Sequence, residues 1–225
     1  MLDCSWVVIP AHNEANTISA VLASVRALVP RIVVVDDGSH DATSAHALAA
    51  GATVLRHPVN IGQGAALETG IRYALEQGAQ YIFTLDADGQ HDAAALLDLS
   101  STLEATGADV VLGSRTLGRT DGMPLSRRLV LKLAVAFTRM HTGMKLSDTH
   151  NGLRLLTRAA AQRIKITQPR MAYASEILTQ IRSLGLRWAE APVTVHYTEY
   201  SLRKGQRNSA AFGILLELLY ASLTR

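Results

Sequence analysis

Cysteine, aromatic residues and long apolar runs are scarce in this 225-residue sequence, and each shortage excludes a class of protein. The single cysteine, Cys4, cannot form an internal disulfide, so the sequence does not encode a disulfide-bonded scaffold. Aromatic residues make up only 5%, and neither a zinc-ligand spacing nor a base-stacking motif is present, so we expect no nucleic-acid partner. No apolar run is long enough to cross a bilayer, and the first residues do not form a secretory signal. We therefore predict a cytoplasmic protein.

Charged residues are also few, at 18%, while hydrophobic residues reach 48%, a balance typical of a globular protein rather than a disordered chain. The length suits a single domain with a substantial core. The formal net charge is only +3, but two stretches concentrate the basic side chains. Such clusters suit phosphates or anionic lipid headgroups, and a solvated face is the alternative. They contain Arg115, Arg119, Arg127, Arg128 and Lys132 in one stretch, and Arg203, Lys204 and Arg207 in the other.

In the first half of the chain, short β-branched segments alternate with segments of helical length. This alternation predicts parallel βαβ units. The segments are continuously apolar, as expected for strands that helices cover on both faces. We therefore predict an α/β fold, a single domain built on a mostly parallel, Rossmann-like sheet. The predicted strands are WVVIP, RIVVVDD, ATVLRH, YIFTLD and DVVLGS.

Two helices are predicted between these strands. In residues 16–30 the apolar side chains recur at helical spacing, and Asn16 or Thr17 is placed to cap the helix. A second helix, over residues 64–78, is predicted to stop at Gly78. The apolar face of the first helix consists of Ile18, Val21, Leu22, Val25 and Leu28.

The second half of the chain is less regular. Residues 114–128 contain two glycines, one proline and four arginines, which predicts a mobile loop leading into an amphipathic helix over residues 125–140. A strand is predicted over residues 189–197, and a terminal helix over residues 210–224. This last helix is apolar almost all the way round, so we expect it to dock onto the domain or to lie against a membrane interface.

Three polar clusters directly follow predicted strands: PAHNE (residues 10–14), DDGSHDAT (residues 36–43) and DADGQH (residues 86–91). Each cluster taken alone is an ordinary turn or helix cap. In an open parallel sheet, however, ligands bind outside the carboxyl ends of the strands, where such loops gather. Three clusters at one edge therefore predict a shared site for a polar ligand.

Asp86 and Asp88 stand one residue apart after a buried strand, and their negative charges repel unless a cation lies between them. Oxygen ligands at this density suit Mg²⁺ or Mn²⁺. The amide oxygen of Gln90 fits such a site better than the imidazole of His91. A hard cation held by so few protein groups is completed by phosphates, so the site suits a nucleoside diphosphate leaving group.

The ordered set of motifs resembles the inverting glycosyltransferases of family 2, which have the GT-A fold, and among them the polyprenyl-phosphate sugar transferases. The resemblance spans nearly the whole chain. Its motifs are VVIPAHNE, VVVDDGSHDAT, NIGQGAALETGI, LDADGQHD, VVLGSR, DTHNGLR, SEILTQI and EAPVTVHY. It implies a donor such as a GDP-, UDP- or dTDP-sugar and a lipid phosphate acceptor.

The resemblance also implies roles for individual residues on the donor side. Residues of two motifs would line the nucleoside pocket or contact the base and ribose: Pro10, His12, Glu14, Asp36 and Asp37. Gly62 and Gly64 would let backbone approach the donor. Residues of the DADGQ motif would contact the donor diphosphate and its metal: Asp86, Ala87, Asp88 and Gln90.

On the acceptor side, the resemblance implies that Arg115 lies near the phosphates and that Arg127 or Arg128 faces an acceptor phosphate. Residues 1–114 would form the nucleotide-binding half and residues 115–225 the acceptor-binding half. The sequence departs from the family at His12, where mannose synthases have tyrosine, and at NGLR, which replaces Gly-Phe-Arg. The C-terminal basic motif does not align, so only cationic phosphate contacts are expected from Arg203, Lys204 and Arg207.

Because no transmembrane helix is predicted, the enzyme would meet a lipid acceptor peripherally, at the inner face of the membrane. The expected reaction is direct displacement at the anomeric carbon with inversion, in which the metal and Arg115 stabilise the departing diphosphate. Asp88, Arg115 and Asp148 are the expected catalytic residues. A phosphate acceptor is already a nucleophile, whereas a hydroxyl acceptor requires a base, for which Asp148 and Glu176 are the candidates.

Other functions fit the sequence less well. A family 2 enzyme that extends a surface polysaccharide is the main alternative. A sugar-phosphate nucleotidyltransferase requires a glycine-rich basic first loop, which PAHNEANT does not provide. A non-catalytic nucleotide-binding module does not account for a paired metal site, and a dinucleotide dehydrogenase requires a G-x-G-x-x-G after the first strand, which is absent.

Overall fold

The computed structural model describes residues 1–121, 125–149 and 151–197. Within these residues, seven strands form one sheet in the order β3-β2-β1-β4-β6-β5-β7, and they all run in the same direction except β6. The predicted α/β fold with a mostly parallel sheet is confirmed. The strands are β1 (Ser5–Ala11), β2 (Ile32–Asp36), β3 (Thr53–Arg56), β4 (Tyr81–Thr84), β5 (Val110–Asp121), β6 (Arg154–Thr157) and β7 (Trp188–His196).

Helices cover both faces of the sheet, and the core is divided into two apolar clusters, one on each face. One cluster joins α1 and α4 to the sheet, and the other joins α3, α6 and α7. No helix in the described residues is both long enough and apolar enough to span a membrane. The helices are α1 (Ile18–Arg26), α2 (Thr43–Ala49), α3 (Gln63–Glu76), α4 (Ala95–Thr106), α5 (Leu125–Thr142), α6 (Arg158–Arg163) and α7 (Tyr173–Ser183).

The predicted helix after β1 is confirmed, although it is shorter than expected. Its first four predicted apolar residues are buried, but α1 ends at Arg26, so Leu28 lies beyond it and is only half-buried. Thr17 occupies the N-cap position without capping the helix. Its hydroxyl donates instead to the Glu14 carboxylate at 3.0 Å. The second predicted helix, α3, ends two residues before Gly78, close to the predicted stop.

The prediction of a mobile loop after residue 114 is wrong for its first part. β5 continues to Asp121 and pairs in parallel with β7, so that Arg119 lies opposite Thr194 and Asp121 opposite His196. Glycines and charged residues suggested a loop, but pairing with the neighbouring strand overrides these local preferences. The predicted amphipathic helix is confirmed as α5. The predicted terminal helix, over residues 210–224, lies outside the described residues.

Strand β6 was not predicted. It has only four residues and runs antiparallel between β4 and β5. Because it runs in the opposite direction, its first residue, Arg154, lies at the sheet edge where β4 ends and pairs with Thr84. The predicted boundary between a nucleotide-binding and an acceptor-binding half, at residues 114 and 115, falls inside β5, so the two halves share one sheet.

Candidate active site

The first two polar clusters lie together at the carboxyl edge of the sheet, as predicted. Ala11, the last residue of β1, is opposite Asp36, and its carbonyl accepts a hydrogen bond from the Asp37 amide at 2.8 Å. The loop after β1 is held by the loop after β2, because the Asn13 amide donates to Ser39 Oγ at 2.9 Å. The third cluster follows β4, which lies next to β1.

Asp86 is held from two sides at this edge. Gln63 Nε2, at the start of α3, donates to Asp86 Oδ1 at 2.8 Å. Gly152 packs against the carboxylate so closely that a Cβ at this position would lie 2.1 Å from Oδ2 and 2.4 Å from Oδ1. Burial raises the pKa of Asp86, although Arg154 and Gln63 counteract the effect. The carboxylate is therefore fixed in position. Because its pKa remains raised, its charged form would be stabilised by a further cation.

Asp88 lies in the turn after Asp86, where its Oδ1 accepts a hydrogen bond from the Gln90 amide at 3.0 Å. Burial and the charge of Asp86 raise the pKa of Asp88 to about 6. His91 remains neutral near neutral pH, because burial lowers its pKa to about 4 despite the nearby Asp88. The turn is anchored to β7, since the His196 amide donates to the Gln90 carbonyl at 2.9 Å.

These groups fit a hard divalent cation that is coordinated only in part by protein. Within the described ranges, no cluster of three His, Cys, Asp or Glu side chains forms a complete metal cage. Two carboxylates whose mutual repulsion raises a pKa still constitute an oxygen donor set that a cation would stabilise. The remaining coordination positions would be filled by ligand oxygens and water.

Arg115 of β5 and Asp148 form a bidentate ion pair beside this site. Nε donates to Oδ2 and Nη2 donates to Oδ1, both at 2.7 Å, and the Arg115 amide also donates to Oδ2 at 2.9 Å. The remaining terminal nitrogen, Nη1, donates to Tyr197 Oη at 3.3 Å. Burial alone would raise the pKa of Asp148, but Arg115 lowers it. Asp148 is therefore a weak base in this arrangement.

Arg154 and Asn151 belong to the site but were not predicted as site residues. Arg154 is only 2% exposed and lies 5.3 Å from the centre of the Tyr173 ring, and its charge lowers the pKa of Asp86. Its Nη1 and the Asn151 Nδ2 are buried and have no hydrogen-bond partner among the described residues. The NGLR motif contains both residues and could have indicated them. The sequence does not show, however, that the charge of Arg154 acts on Asp86.

The model of glycosyl transferase family 2 matches residues 6–165 of this chain. The chain belongs to this family. It is therefore a glycosyltransferase. The match covers β1 to β6, including the Asp86–Asp88 pair and the Arg115–Asp148 ion pair.

Similar proteins cover almost the whole glycosyltransferase chain. An uncharacterised protein of Methanocaldococcus jannaschii is 35% identical over 96% of this chain and 91% of its own length. A UDP-N-acetylglucosamine–dolichyl-phosphate N-acetylglucosaminyltransferase of Methanococcus voltae is 28% identical over 95% of this chain and 94% of its own. An undecaprenyl-phosphate mannosyltransferase of Micrococcus luteus is 28% identical over 92% and 88%, respectively.

Solved structures establish the GT-A fold of the glycosyltransferase. Glucosyl-3-phosphoglycerate synthase from Mycobacterium tuberculosis, crystallised with Mn²⁺, uridine diphosphate and glucosyl-3-phosphoglycerate, superposes with a TM-score of 0.71. The alignment covers 95% of this chain and 78% of that chain at 23% identity. Likeness at this level of identity concerns the fold, and the expected GT-A fold is confirmed.

The residues predicted to bind the nucleoside lie together in the glycosyltransferase, at different depths. Pro10 is buried within β1, and Glu14 is 8% exposed. His12 is half-buried, with Nδ1 2.9 Å from the Asp37 carbonyl and Nε2 3.1 Å from Asn13 Nδ2. With both ring nitrogens occupied, the His12 ring is fixed. Nucleoside binding by these three residues remains a prediction.

Asp36 and Asp37 have protein partners. Asp36 is fully buried, and although burial alone would raise its pKa, hydrogen bonds from Ser39 and Ser44 lower it. Asp37 accepts hydrogen bonds from the Ile61 and Gly62 amides at 3.0 and 2.7 Å. Both carboxylates thus organise the surrounding loops, and their contact with a base or ribose remains a prediction.

Gly62 and Gly64, which were predicted to let backbone approach the donor, are closely packed within the protein. A Cβ on Gly62 would lie 2.3 Å from the Pro169 carbonyl oxygen, and a Cβ on Gly64 would lie 2.1 Å from that of Gln168. The backbone that approaches both glycines is therefore that of residues 168–169 of the protein itself. A donor-binding role for Gly62 remains a prediction, and Ala87, buried between Asp86 and Asp88, likewise remains predicted to lie near the donor.

Glu176 has a structural role in the glycosyltransferase. Its carboxylate accepts hydrogen bonds from the Thr167 and Gln168 amides, each at 3.0 Å to Oε2, which fixes the segment before α7. Arg127 and Arg128 lie in α5, but their side chains are outside the described part of the structure. Arg203, Lys204 and Arg207 lie outside the described residues, so acceptor binding by these five cations stays a prediction.

Proposed function

We propose that this family 2 glycosyltransferase moves a sugar from a nucleotide-sugar donor to a polyprenyl phosphate, with a divalent metal and with inversion at the anomeric carbon. Two relatives that match more than 90% of the chain are named for transfer to dolichyl or undecaprenyl phosphate. They are named for different sugars, which leaves the sugar and the base open for this enzyme.

The observation that carries the proposal is the half-buried pair Asp86 and Asp88 at the sheet edge where parallel strands end. Burial, followed by the negative charge of Asp86, raises the pKa of Asp88 to about 6. Asp86, Asp88 and, through its side chain, Gln90 would hold Mg²⁺ or Mn²⁺. Such a cation, when bound, neutralises the charge that develops on a leaving diphosphate. His12, Glu14 and Asp36 would orient the nucleoside of the same donor.

The environment of Asp148 supports a phosphate acceptor. Asp148 is held by Arg115 through two side-chain hydrogen bonds, and its pKa is lowered, so it is poorly suited to accept a proton from a hydroxyl. A phosphate monoester has a second pKa near 6 and is a dianion at cytoplasmic pH, so its oxygen attacks without a base. Arg115 would add positive charge near the diphosphate while Asp148 keeps its guanidinium in place.

Acceptor binding is assigned to basic residues of the second half. Arg127 and Arg128 would contact the acceptor phosphate, and Arg203, Lys204 and Arg207 would add further phosphate contacts. These cations would also bring the enzyme to anionic lipid headgroups at the cytoplasmic face of a membrane. The lipid chain would then remain in the bilayer while its phosphate reaches the sheet edge.

The experiment is a panel of GDP-, UDP- and dTDP-linked sugars with Mn²⁺, with and without a polyprenyl phosphate. Nucleotide release and lipid-linked sugar are measured in parallel, and EDTA provides the metal-free control. Turnover that depends on the lipid phosphate and disappears with EDTA is expected. Transfer to an oligosaccharide hydroxyl without any effect of the lipid would instead favour a role in polysaccharide synthesis.

A further inference from the structure

Gln63 contacts the metal-binding pair but has no role in the proposed reaction. It is the first residue of α3, half-buried, and its Nε2 donates to Asp86 Oδ1 at 2.8 Å. Gly152 packs against the same carboxylate, and a Cβ at this position would lie 2.1 Å from Oδ2 and 2.4 Å from Oδ1. Because a hydrogen bond holds Oδ1 and the backbone at Gly152 packs against the whole group, the Asp86 carboxylate has little freedom to rotate.

The position of Gln63 is set by the residues just before it. The Asp37 carboxylate accepts hydrogen bonds from the Ile61 amide at 3.0 Å and the Gly62 amide at 2.7 Å. His57 steadies Asp37 in turn, with Nδ1 at 2.7 Å from Asp37 Oδ1 and Nε2 at 3.0 Å from Thr69 Oγ1. The start of α3 is thus tied to the end of β2.

A second attachment holds the same turn from the other side. The Ala65 amide donates to the Pro169 carbonyl at 3.1 Å, and Gly62 has a φ of +125° with no room for a Cβ against that carbonyl. The turn before α3 is therefore held by Asp37 on one side and by residues 168–169 on the other. These contacts set where the Gln63 side chain leaves the backbone.

We propose that Gln63 is a positioning residue that orients the Asp86 carboxylate, and that Asp37 acts on Asp86 through Gln63. The inference rests on the proposed function, because an oriented carboxylate matters most where it binds a cation. Hydrogen-bonding partners of metal ligands commonly change metal affinity by about 10- to 100-fold when they are removed. Gln63 would have this effect without touching the substrate.

The first test is Mn²⁺ binding by Gln63→Met, which preserves side-chain length but cannot donate a hydrogen bond. Mn²⁺ alone is the probe, and the signal of unbound Mn²⁺ is followed by electron paramagnetic resonance. We expect about tenfold weaker binding than in the wild type. Gln180→Met is the matched control, because Gln180 bonds the backbone of Lys165 and lies on α7 away from Asp86. Unchanged binding in Gln63→Met, or equal losses in both variants, would overturn the inference.

The second test asks whether Asp37 acts through Gln63. Asp37→Asn should weaken Mn²⁺ binding by a smaller factor than Gln63→Met, because asparagine keeps one acceptor oxygen. The double variant should then bind Mn²⁺ no more weakly than Gln63→Met alone. Losses that multiply in the double variant would show that Asp37 reaches Asp86 by another route.

A third measurement separates this inference from the proposed function. Urea unfolding of metal-free Gln63→Met, Asp86→Ala and the double variant gives the coupling between the two side chains. We expect Gln63→Met to lower the urea midpoint in the wild type and to have little effect in Asp86→Ala. Equal shifts in both backgrounds would contradict the positioning role. Coupling without any Mn²⁺ binding by the wild type would instead contradict the proposed metal and leave the Gln63–Asp86 interaction established.

Discussion

Arg115 and Asp148 are joined by three hydrogen bonds of 2.7 to 2.9 Å, two from the guanidinium and one from the Arg115 backbone amide. Their side chains are 9% and 4% exposed. The pair stands where β5 passes the DADGQ turn, next to Tyr197 at the end of the described chain. This geometry explains why Asp148, a candidate base from the sequence, is better understood as the partner of the Arg115 guanidinium.

Breaking this ion pair should be costly, while replacing both partners should be less so. Asp148→Ala leaves a buried guanidinium uncompensated, and we expect it to lower the free energy of unfolding by about 3 kcal/mol. Arg115→Met with Asp148→Leu should cost less than the sum of the two single changes, since no charge is left alone. Urea unfolding measures Asp148→Ala, the single variants Arg115→Met and Asp148→Leu, and the double variant. Additive losses would indicate that the two side chains do not interact.

Asp88 should destabilise the metal-free fold at neutral pH. Its folded pKa of about 6 lies above the ordinary value of 3.8, so the folded state binds more protons between these values. Stability of the metal-free protein should therefore fall as pH rises from about 4 to about 6. Asp88→Asn should remove that component and raise the free energy of unfolding at pH 7.5 by about 1 kcal/mol, while abolishing turnover.

The control for Asp88→Asn is Asp3→Asn, which neutralises an exposed carboxylate near the start of the chain. Thermal unfolding in EDTA is measured from pH 4 to 8 for the wild type and both variants. A variant that keeps the wild-type pH profile, or that retains transfer in metal-free buffer, would speak against the assigned role of Asp88.

Arg154 should determine the pH range over which the site binds a cation. Burial raises the pKa of Asp86 and the charge of Arg154 lowers it, so Arg154→Met should raise that pKa further. Protons then compete better with the metal, and the pH of half-maximal Mn²⁺ binding should increase by about one unit. Arg154→Lys keeps the charge and should shift less. The measurement is a titration of Mn²⁺ binding between pH 5.5 and 8 for both variants. Equal shifts would mean that the packing of Arg154, rather than its charge, sets the pH of half-maximal binding.

Arg127 and Arg128 should affect acceptor use more than donor use. Arg127→Gln with Arg128→Gln removes two cations near the start of α5. We expect the KM for polyprenyl phosphate to rise about tenfold, from the loss of charge-assisted phosphate contacts, while hydrolysis of the donor continues. Arg182→Gln removes an exposed cation from α7 as the control. Equal losses in transfer and hydrolysis would place the two arginines at the donor diphosphate.

Local patterns were reliable where the spacing of an element's own apolar residues carried the signal. The apolar runs of β1, β2 and β4 and the helical spacing of Ile18, Val21 and Leu22 predicted buried elements correctly. The pattern failed over residues 114–121, because pairing with β7, more than 70 residues later, made a strand from a sequence rich in glycine and arginine. Strand β6 was missed for a different reason: it passes directly into α6 at Arg158, so no turn residues separate the short strand from the helix.

The sequence by itself determined the described strands other than β6, the helices α1, α3 and α5, and the placement of three polar clusters at strand ends, because hydrophobic periodicity is a local property. Only the tertiary structure decided which carboxylate meets which partner. Asp148 pairs with Arg115, Asp37 holds the turn before Gln63, and Gln63 reaches Asp86. These contacts join residues 23 to 33 positions apart, and such pairings follow from how the strands pack, which no local pattern specifies.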